Sequence, residues 1–411
     1  MSAWQDALFA RRSLGVQLSL DAVLAGHAAL GRPAAAIPCV HVVGTNGKGS
    51  TSAMVAHALA RRGRRVGLYT SPHLHRVGER IRIEGRAAAD EDLAAWVAEV
   101  LAAEARGLPR PLTFFEILTL AALLAFERAR VEVMVLEAGL GGRLDATRVV
   151  PARVTLITPI DLDHQAYLGD TVEAIAAEKA AVMAAGAPTF AAPQRPGVAA
   201  VLRAAAAEHR VPLAFVEPLP RPPAGLPGEH QRVNAALALA GARALDPAIA
   251  AADLDGVAWP ARCERRALGI GRAVFDASHN PHGVLALVTW LSSQPVPRRA
   301  VVFGCLADKD APAMLAHLRR LDAPCWLVPP GPGAYPLDTL AGPADHLYAG
   351  PGDPGLRHAL AELLGAGGEL VICGSHALVG QLRGELLQEA RDRVLLADPL
   401  TRAATGLARN D

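Results

Sequence analysis

The run His41-Val42-Val43-Gly44-Thr45-Asn46-Gly47-Lys48-Gly49-Ser50-Thr51 joins an apolar, strand-like stretch to a glycine-bearing loop, a lysine and two hydroxyls that open a helix. That order suits phosphate. Glycines let backbone N–H groups curl around an anion, a helix amino end carries partial positive charge, and Lys48 can reach a terminal phosphate. The spacing is Gly-x-x-Gly-Lys-x-Ser, shorter than the strict P-loop, because Val42 rather than glycine precedes the lysine at the first loop position.

Further polar residues fall at the carboxyl ends of strand-like runs, where open α/β sheets place their ligands. Ser71 follows Val66–Tyr69, Glu137 ends Val133-Met134-Val135-Leu136, and Asp161, Asp163 and His164 follow 154–158. Hydroxyl, carboxylate and imidazole suit a nucleotide-bound Mg²⁺, although each residue alone could equally be a turn or cap residue. Lysine itself is informative. It occurs only at 48, 179 and 309, while the other basic residues are arginine. Positions that keep lysine are candidates for chemistry a guanidinium cannot do, since an amine can become a nucleophile. Lys179, in Ala176-Ala177-Glu178-Lys179-Ala180, is therefore either a solvated helix lysine paired with Glu173 or Glu178, or an amine that takes up CO₂ as a carbamate. His41, within an apolar strand, reads as structural. Arg61-Arg62-Gly63-Arg64-Arg65 reads as a helix end with a glycine stop.

These residues need a scaffold, and the sequence alternates short β-type runs with Ala/Leu-rich helical stretches, the signature of an α/β fold with a parallel sheet. Strands are expected at Cys39–Val43, Val66–Tyr69, Val131–Leu136 and Val154–Thr158, with helices over Thr51–Ala60, Glu91–Ala105 and Phe115–Arg128. A Pro/Gly-rich segment, Pro218–Gly228, breaks the pattern before a helix near Gln231. A second series follows: strands at Ala273–Phe275, Ala300–Gly304, 325–328 and Leu370–Cys373, with helices near 283–292, 311–320 and 376–389. It carries Asp276-Ala277-Ser278-His279-Asn280-Pro281-His282 and Asp308-Lys309-Asp310, again polar groups at strand ends. The expected domains are 1–262 and 263–411, and the last dozen residues read as a weakly ordered tail.

Composition bounds the function. The chain has 411 residues, 51% hydrophobic and 20% charged, with a formal charge of +1, which argues against a nucleic-acid binder. No apolar run reaches the ~18 residues of a membrane span, and Ile117 to Phe126 is too short. The amino terminus lacks a signal peptide's basic start and apolar stretch. Five scattered cysteines, with no Cys-x-x-Cys pair, fit reduced thiols and exclude a cysteine zinc site. The expectation is a cytoplasmic protein acting on small molecules, without membrane or nucleic-acid partners and by default a monomer.

The motifs, in order, resemble the folylpolyglutamate synthase/dihydrofolate synthase family of the Mur ligase superfamily. They comprise His41–Thr51, Tyr69–Leu74, Glu79-Arg80-Ile81, Thr113–Glu116, Leu136–Thr147 and Asp163-His164 with Leu168-Gly169. Glu178-Lys179-Ala180, Gly228–Gln231 with Asn234, Asp276–His282, Asp308–Asp310 and Cys373-Gly374-Ser375 continue the series. The resemblance implies a P-loop-type, mostly parallel sheet domain and a smaller Rossmann-like α/β domain. It implies that Thr45, Asn46, Gly47, Lys48, Gly49 and Ser50 hold ATP phosphates, with Asn234, Arg262 and Asp276 as further ATP contacts. Ser71, Glu137 and His164 would bind Mg²⁺, and Lys179 matches a carbamylated lysine supporting a second Mg²⁺. Thr113, Phe114, Phe115 and Glu116, with Leu144, Asp145 and Ala146, match pterin contacts, and His279 and Lys309 belong near the reacting centre.

The implied activity is ATP-dependent addition of L-glutamate to dihydropteroate and to reduced folates through an acyl phosphate, with two domains closing over the site. Alternatives are a monofunctional folylpolyglutamate synthase, a relative acting on another acid, and a non-catalytic ATP-binding regulator. Three departures stand out. Gln17-Leu18-Ser19-Leu20 replaces the family's Asp-Leu-Gly-Leu type segment of the dihydropteroate pocket, Ala261 stands where glycine is usual before Arg262, and 216–226 looks short.

Overall fold

Cys39–Val43 is buried at every position and forms β1, the strand from which the first sheet is organised. The structure is a computed structural model that describes residues 3–294, 296–389 and 392. The expected tail lies outside the described residues. The chain divides into two units. The first is 1–73, 77–223 and 231–257; the second is 74–76, 224–230 and 258–411. The second thus begins its main run at Ala258, a little before 262, and takes two short pieces that a single cut in the sequence cannot express.

In the first unit, β1 is joined by β2 (Val66–Tyr69), β3 (Ile81–Ile83), β4 (Arg86–Ala87), β5 (Val133–Glu137), β6 (Val154–Ile157), β7 (Thr189–Ala191) and β8 (Leu213–Phe215). The order is β4-β3-β2-β5-β1-β6-β7-β8. All pairings are parallel except those of β3 and β4, and β1 pairs β5 on one side and β6 on the other. Strands buried on both faces read as unbroken apolar runs, so β1, β2, β5 and β6 were visible in the sequence. The β3–β4 hairpin was not. Its turn residues, Glu84 and Gly85, both have positive φ (52° and 78°), as a two-residue hairpin needs, but Glu-Gly is not the usual Asn-Gly signal. The connection from β1 leaves towards β2, whereas β6 lies on its other side. The carboxyl end of β1 is therefore the switch point at which such sheets bind ligands.

Helix Lys48–Arg61 follows β1 and packs on β5 and β2. Gly63 (φ 78°) ends it, with Arg61 and Arg62 held by Asp253 and Asp246, so the arginine cluster is a helix end. Helix Phe114–Arg128 is apolar almost all round and is buried in the core beside Leu93, Trp96 and Val97. Among the described residues no helix is long and apolar enough to cross a membrane.

The second unit holds β9 (Glu264–Leu268), β10 (Gly271–Phe275), β11 (Arg299–Phe303), β12 (Cys325–Leu327), β13 (His346–Leu347) and β14 (Glu369–Cys373), in the order β13-β12-β11-β14-β10-β9. All pairings are parallel except β9 on β10. Apolar clusters cover both faces, one around Val301, Phe303 and Leu315, the other around Phe275, Val302 and Leu378. Glu369 is buried where β10 and β11 flank β14. Its Oε2 accepts from Arg272 Nε at 2.7 Å, and its Oε1 lies 2.8 Å from Arg299 Nε and 2.7 Å from Arg299 Nη2. All five cysteines are buried free thiols, and burial pushes the Cys325 thiol up to about 11.

Candidate active site

The loop after β1 is held by what surrounds it. Gly44 has φ 144°, and a Cβ there would stand 1.9 Å from Thr158 Oγ1; Gly47 has φ 88°, and a Cβ there would stand 2.3 Å from Asn234 Oδ1. Only glycine fits either place. Thr45 and Asn46 donate their backbone N–H groups to Pro159 O (3.0 and 3.3 Å), and Thr45 Oγ1 donates to Asp161 O at 3.0 Å. These two expected phosphate contacts are thus spent on fixing the loop in this state, and the donors best placed for an anion are the first helical N–H groups of Lys48, Gly49 and Ser50. Asn234 Nδ2 donates to Gln231 Oε1 (3.0 Å), and Gln231 Nε2 to Ser50 Oγ (3.4 Å), so helix His230–Arg243 braces the loop from behind.

Two of the three lysines meet on one oxygen. Lys48 Nζ donates to Gly44 O at 3.2 Å and to Thr45 O at 3.0 Å, and Lys179 Nζ donates to Gly44 O at 2.8 Å. Lys179 lies in the last turn of helix Val172–Ala180, whose amino end Thr171 caps, and is 4% exposed. The solvated reading of Lys179 is therefore overturned: it points inward, away from water. Burial first, then the Lys48 charge, lowers its pKa from 10.5 to about 7, against the pull of Asp163, Asp145 and Glu178. Near neutral pH this amine is partly unprotonated and nucleophilic. Gly142 makes the approach possible, because a Cβ there would stand 2.7 Å from Glu178 O and 3.0 Å from Lys179 Cα.

Of the expected metal ligands, Ser71 and Glu137 come together: Ser71 N donates to Glu137 Oε2 at 3.1 Å across the ends of β2 and β5. Glu137 is the last residue of β5 and is buried. His164 (φ 53°) follows β6, beyond β1, with Nε2 3.9 Å from Asp163 Oδ1. Among the described residues no three His, Cys, Asp or Glu side chains gather into a metal centre. The hydroxyl and carboxylate at one strand edge nonetheless fit a hard cation that completes its shell with phosphate oxygens and water.

The expected acceptor contacts divide. Thr113 and Glu116 form a reciprocal cap on helix Phe114–Arg128, with Glu116 N donating to Thr113 Oγ1 (3.2 Å) and Thr113 N to Glu116 Oε2 (2.8 Å). Phe114 is buried beneath the Arg80 guanidinium. Phe115 is half-buried, lies 5.7 Å from the Tyr69 ring and packs over Gly139. Asp145 likewise has a local partner set. Burial raises its pKa, and its oxygens accept from Leu140 N (2.9 Å), Thr147 N (3.0 Å) and Thr147 Oγ1 (2.5 Å). It shapes its own loop, in which Leu144 is part-buried and Ala146 is buried against the core of the first unit. His41 is structural, as expected: Nε2 lies 2.6 Å from Thr147 Oγ1, and burial lowers its pKa to about 4.

In the second unit, Arg262 sits between Ala261 (φ 55°) and Cys263 (φ 48°). The left-handed backbone at 261 is the reason glycine is usual there. Asp276 accepts from Cys263 N (2.8 Å) and Ser278 N (2.9 Å), so it fixes the turn that presents Arg262. Arg262 Nη2 is 3.4 Å from His376 Nε2, whose ring lies 5.2 Å from that of His279. His279 Nδ1 is 3.0 Å from Ala277 O, an assignment that puts the neutral ring's proton on Nδ1. Lys309 is buried, 3.3 Å from Asp308 Oδ2. Two residues hold roles that type and spacing do not reveal: Gln231, the brace behind Ser50, and Arg110, which lies between two prolines.

Residues 42–192 match the Mur ligase middle domain. A dihydrofolate synthase/folylpolyglutamate synthase of Escherichia coli K12 is 33% identical over 411 residues, 93% of this chain and 94% of that one. The solved structure of E. coli FolC in complex with DHPP and ADP has a TM-score of 0.83 at 30% identity, covering 94% of this chain and 98% of that one. A bifunctional folylpolyglutamate synthase/dihydrofolate synthase of Yersinia pestis, complexed with AMPPNP and Mn ion, gives 0.82 at 30% identity, covering 94% and 97%.

Proposed function

Because the chain belongs to the folylpolyglutamate synthase/dihydrofolate synthase family of Mur ligases, we propose that its site joins L-glutamate to dihydropteroate and to reduced folates at the expense of ATP. It is an ATP-dependent ligase, and the relatives' nucleotide and metal complexes support ATP with a divalent cation here. The observation that carries the reading is the convergence of Lys48 and Lys179 on Gly44 O beside the Ser71–Glu137 edge. A nucleotide binder needs the first lysine; a buried amine with its pKa brought to about 7 is a feature of chemistry.

In this reading Lys48 leaves the loop carbonyls for the β- and γ-phosphates, and the helix N–H groups at 48–50 hold them. Ser71, Glu137 and His164 would hold Mg²⁺, which supplies charge neutralisation at the phosphates when bound. The acceptor's carboxylate oxygen attacks the γ-phosphorus, the bond to the β–γ bridging oxygen breaks, and ADP leaves from an acyl phosphate. The amine of L-glutamate then attacks the acyl carbon, phosphate departs, and the amine gives up a proton, for which the second unit's His279 is the proposed acceptor. Arg262 and Asp276 are proposed to serve the nucleotide, Phe115, Leu144 and Ala146 the pterin. Lys179 is proposed to carry CO₂ as a carbamate that supports a second Mg²⁺; its low pKa and burial support this.

A narrower reading, glutamate addition to folates alone, is favoured by one observation. Gln17 stands where a carboxylate is usual, and its Nε2 is occupied by Leu14 O at 3.0 Å. Mass spectrometry of products formed with ATP, Mg²⁺, L-glutamate and either dihydropteroate or tetrahydrofolate separates the readings. A gain of glutamate on both acceptors supports the bifunctional enzyme, on tetrahydrofolate alone the narrower one, and on neither overturns both.

A further inference from the structure

Arg110 has no part in the family motifs, yet its guanidinium is engaged on every nitrogen. Nη1 donates to Glu116 Oε2 (2.9 Å) and Pro111 O (3.1 Å), Nη2 donates to Glu116 Oε1 (2.7 Å) and Ser19 O (3.2 Å), and Nε stands 3.3 Å from Asp21 Oδ1. The side chain is 19% exposed. On one side it grips the carboxylate that caps helix Phe114–Arg128, immediately under Phe115. On the other it grips the backbone of the 17–20 segment and Asp21, which opens helix Asp21–Ala29 and also accepts from Ser19 Oγ (2.6 Å). The partners are separated by 91 residues at Ser19 and six at Glu116. One planar fork thus fastens together two segments, both matched to the acceptor pocket, that no other described hydrogen bond joins.

We propose that Arg110 is a positioning residue that sets acceptor affinity and choice, by holding the Gln17–Leu20 segment in register with the Phe115 helix start. This rests on the proposed function. The chain has lost the acidic residue of the 17–20 segment, so that segment recognises its ligand by shape, and shape depends on where its backbone is pinned. Ser19 is pinned through its carbonyl, which any residue at 19 would offer; the specificity of the clamp therefore lies in Arg110. Lysine cannot replace it, because a single ammonium cannot make the paired contacts to Glu116 while reaching Ser19 O and Asp21.

The test is Arg110→Lys, with Asp21→Asn as a milder second variant should the first fold poorly. Each is assayed for dihydropteroate and tetrahydrofolate separately, and dihydropteroate binding is followed directly by fluorescence titration in the presence of ADP. The expected result for Arg110→Lys is an acceptor KM and Kd raised on the order of tenfold, unequally for the two acceptors, with KM for ATP and L-glutamate and the kcat at saturation retained. Asp21→Asn should move in the same direction by less. A merely structural arginine would lower Tm and the yield of active enzyme while leaving every KM alike; that pattern, or an unchanged acceptor Kd, overturns the inference. A wild-type chain that neither binds nor glutamylates either acceptor overturns the functional reading itself, and is told apart from the first failure because it shows before any variant is made.

Discussion

Replacing Lys179 by methionine should make the protein more stable while making it inactive, and the gain should shrink as pH rises. The folded pKa of about 7 lies below the ordinary 10.5 because of burial and the neighbouring Lys48 charge. Between these values the unfolded chain holds a proton that the folded chain has given up. Folding is opposed there, and stability rises with pH across that window. At ~1.36 kcal/mol per pKa unit, the opposition amounts to about 4 kcal/mol at pH 7 and about 2 kcal/mol at pH 9. Methionine fills a similar volume without a charge, but forfeits the hydrogen bond to Gly44 O, worth ~1 kcal/mol. The net gain is then about 3 kcal/mol at pH 7 and about 1 kcal/mol at pH 9. Urea unfolding of both proteins in CO₂-free buffer at the two pH values reads these differences. A variant less stable at pH 7, or a gain that does not diminish by pH 9, would refute the placement of Lys179 as a buried, proton-shedding amine. Added bicarbonate should stabilise wild type at pH 8 and leave the variant unmoved if the carbamate forms.

Four other outcomes are expected. Lys179→Arg should fold yet lose most ligase activity, since arginine cannot form a carbamate; wild-type turnover would sink that role. Gly47→Ala places a methyl 2.3 Å from Asn234 Oδ1 at φ 88°, so calorimetry should show ADP affinity reduced on the order of tenfold, with Asn234→Ala restoring part of it. Glu369→Gln leaves Arg272 and Arg299 facing a neutral amide and should cost about 3–5 kcal/mol in urea unfolding of the second unit; a cost under ~1 kcal/mol would contradict the burial of that carboxylate. Ala261→Gly relieves a left-handed alanine, worth ~1 kcal/mol, but removes a fully buried methyl worth ~0.8 kcal/mol, so Tm should barely move; a clear rise would show that strain at 261 outweighs the packing of its methyl, and a clear fall the reverse.

What could be read from the sequence depended on how far each contact reaches. Cys39–Val43 and Val66–Tyr69 were legible to the residue, because a strand covered on both faces leaves an unbroken apolar run. Strand Glu264–Leu268 was not: it is an antiparallel edge whose charged residues find their partners on other strands and helices, as Glu264 does with Arg383 at 2.8 Å. Lys179 was marked by the rarity of lysine, a compositional signal that survives without any alignment. Asp145 and Asp276 both hold N–H groups of their own turns, a service that type and spacing do not announce. A carboxylate at a strand end can serve either a ligand or the loop's own N–H groups, and type and spacing are the same in both cases. Arg110 was invisible because Ser19, which it holds, is 91 residues away.

The arginine-bound carboxylate of β14 also bears on how the second sheet comes to have its order. β14 is synthesised last, yet it occupies the place between β10 and β11. Arg272 and Arg299 are both register partners of Glu369, so they stand at the same level on the two flanking strands. Were β10 and β11 to pair directly in that register, two guanidiniums would meet with no anion between them, and like charges placed opposite one another repel. β12 and β13 would bring only Cys-Trp-Leu and His-Leu to that position, and β9, whose Glu264 is held by Arg383, pairs the other edge of β10. The two early strands are thereby kept as a gap of matched positive charge, which the end of the chain closes with the acid it carries.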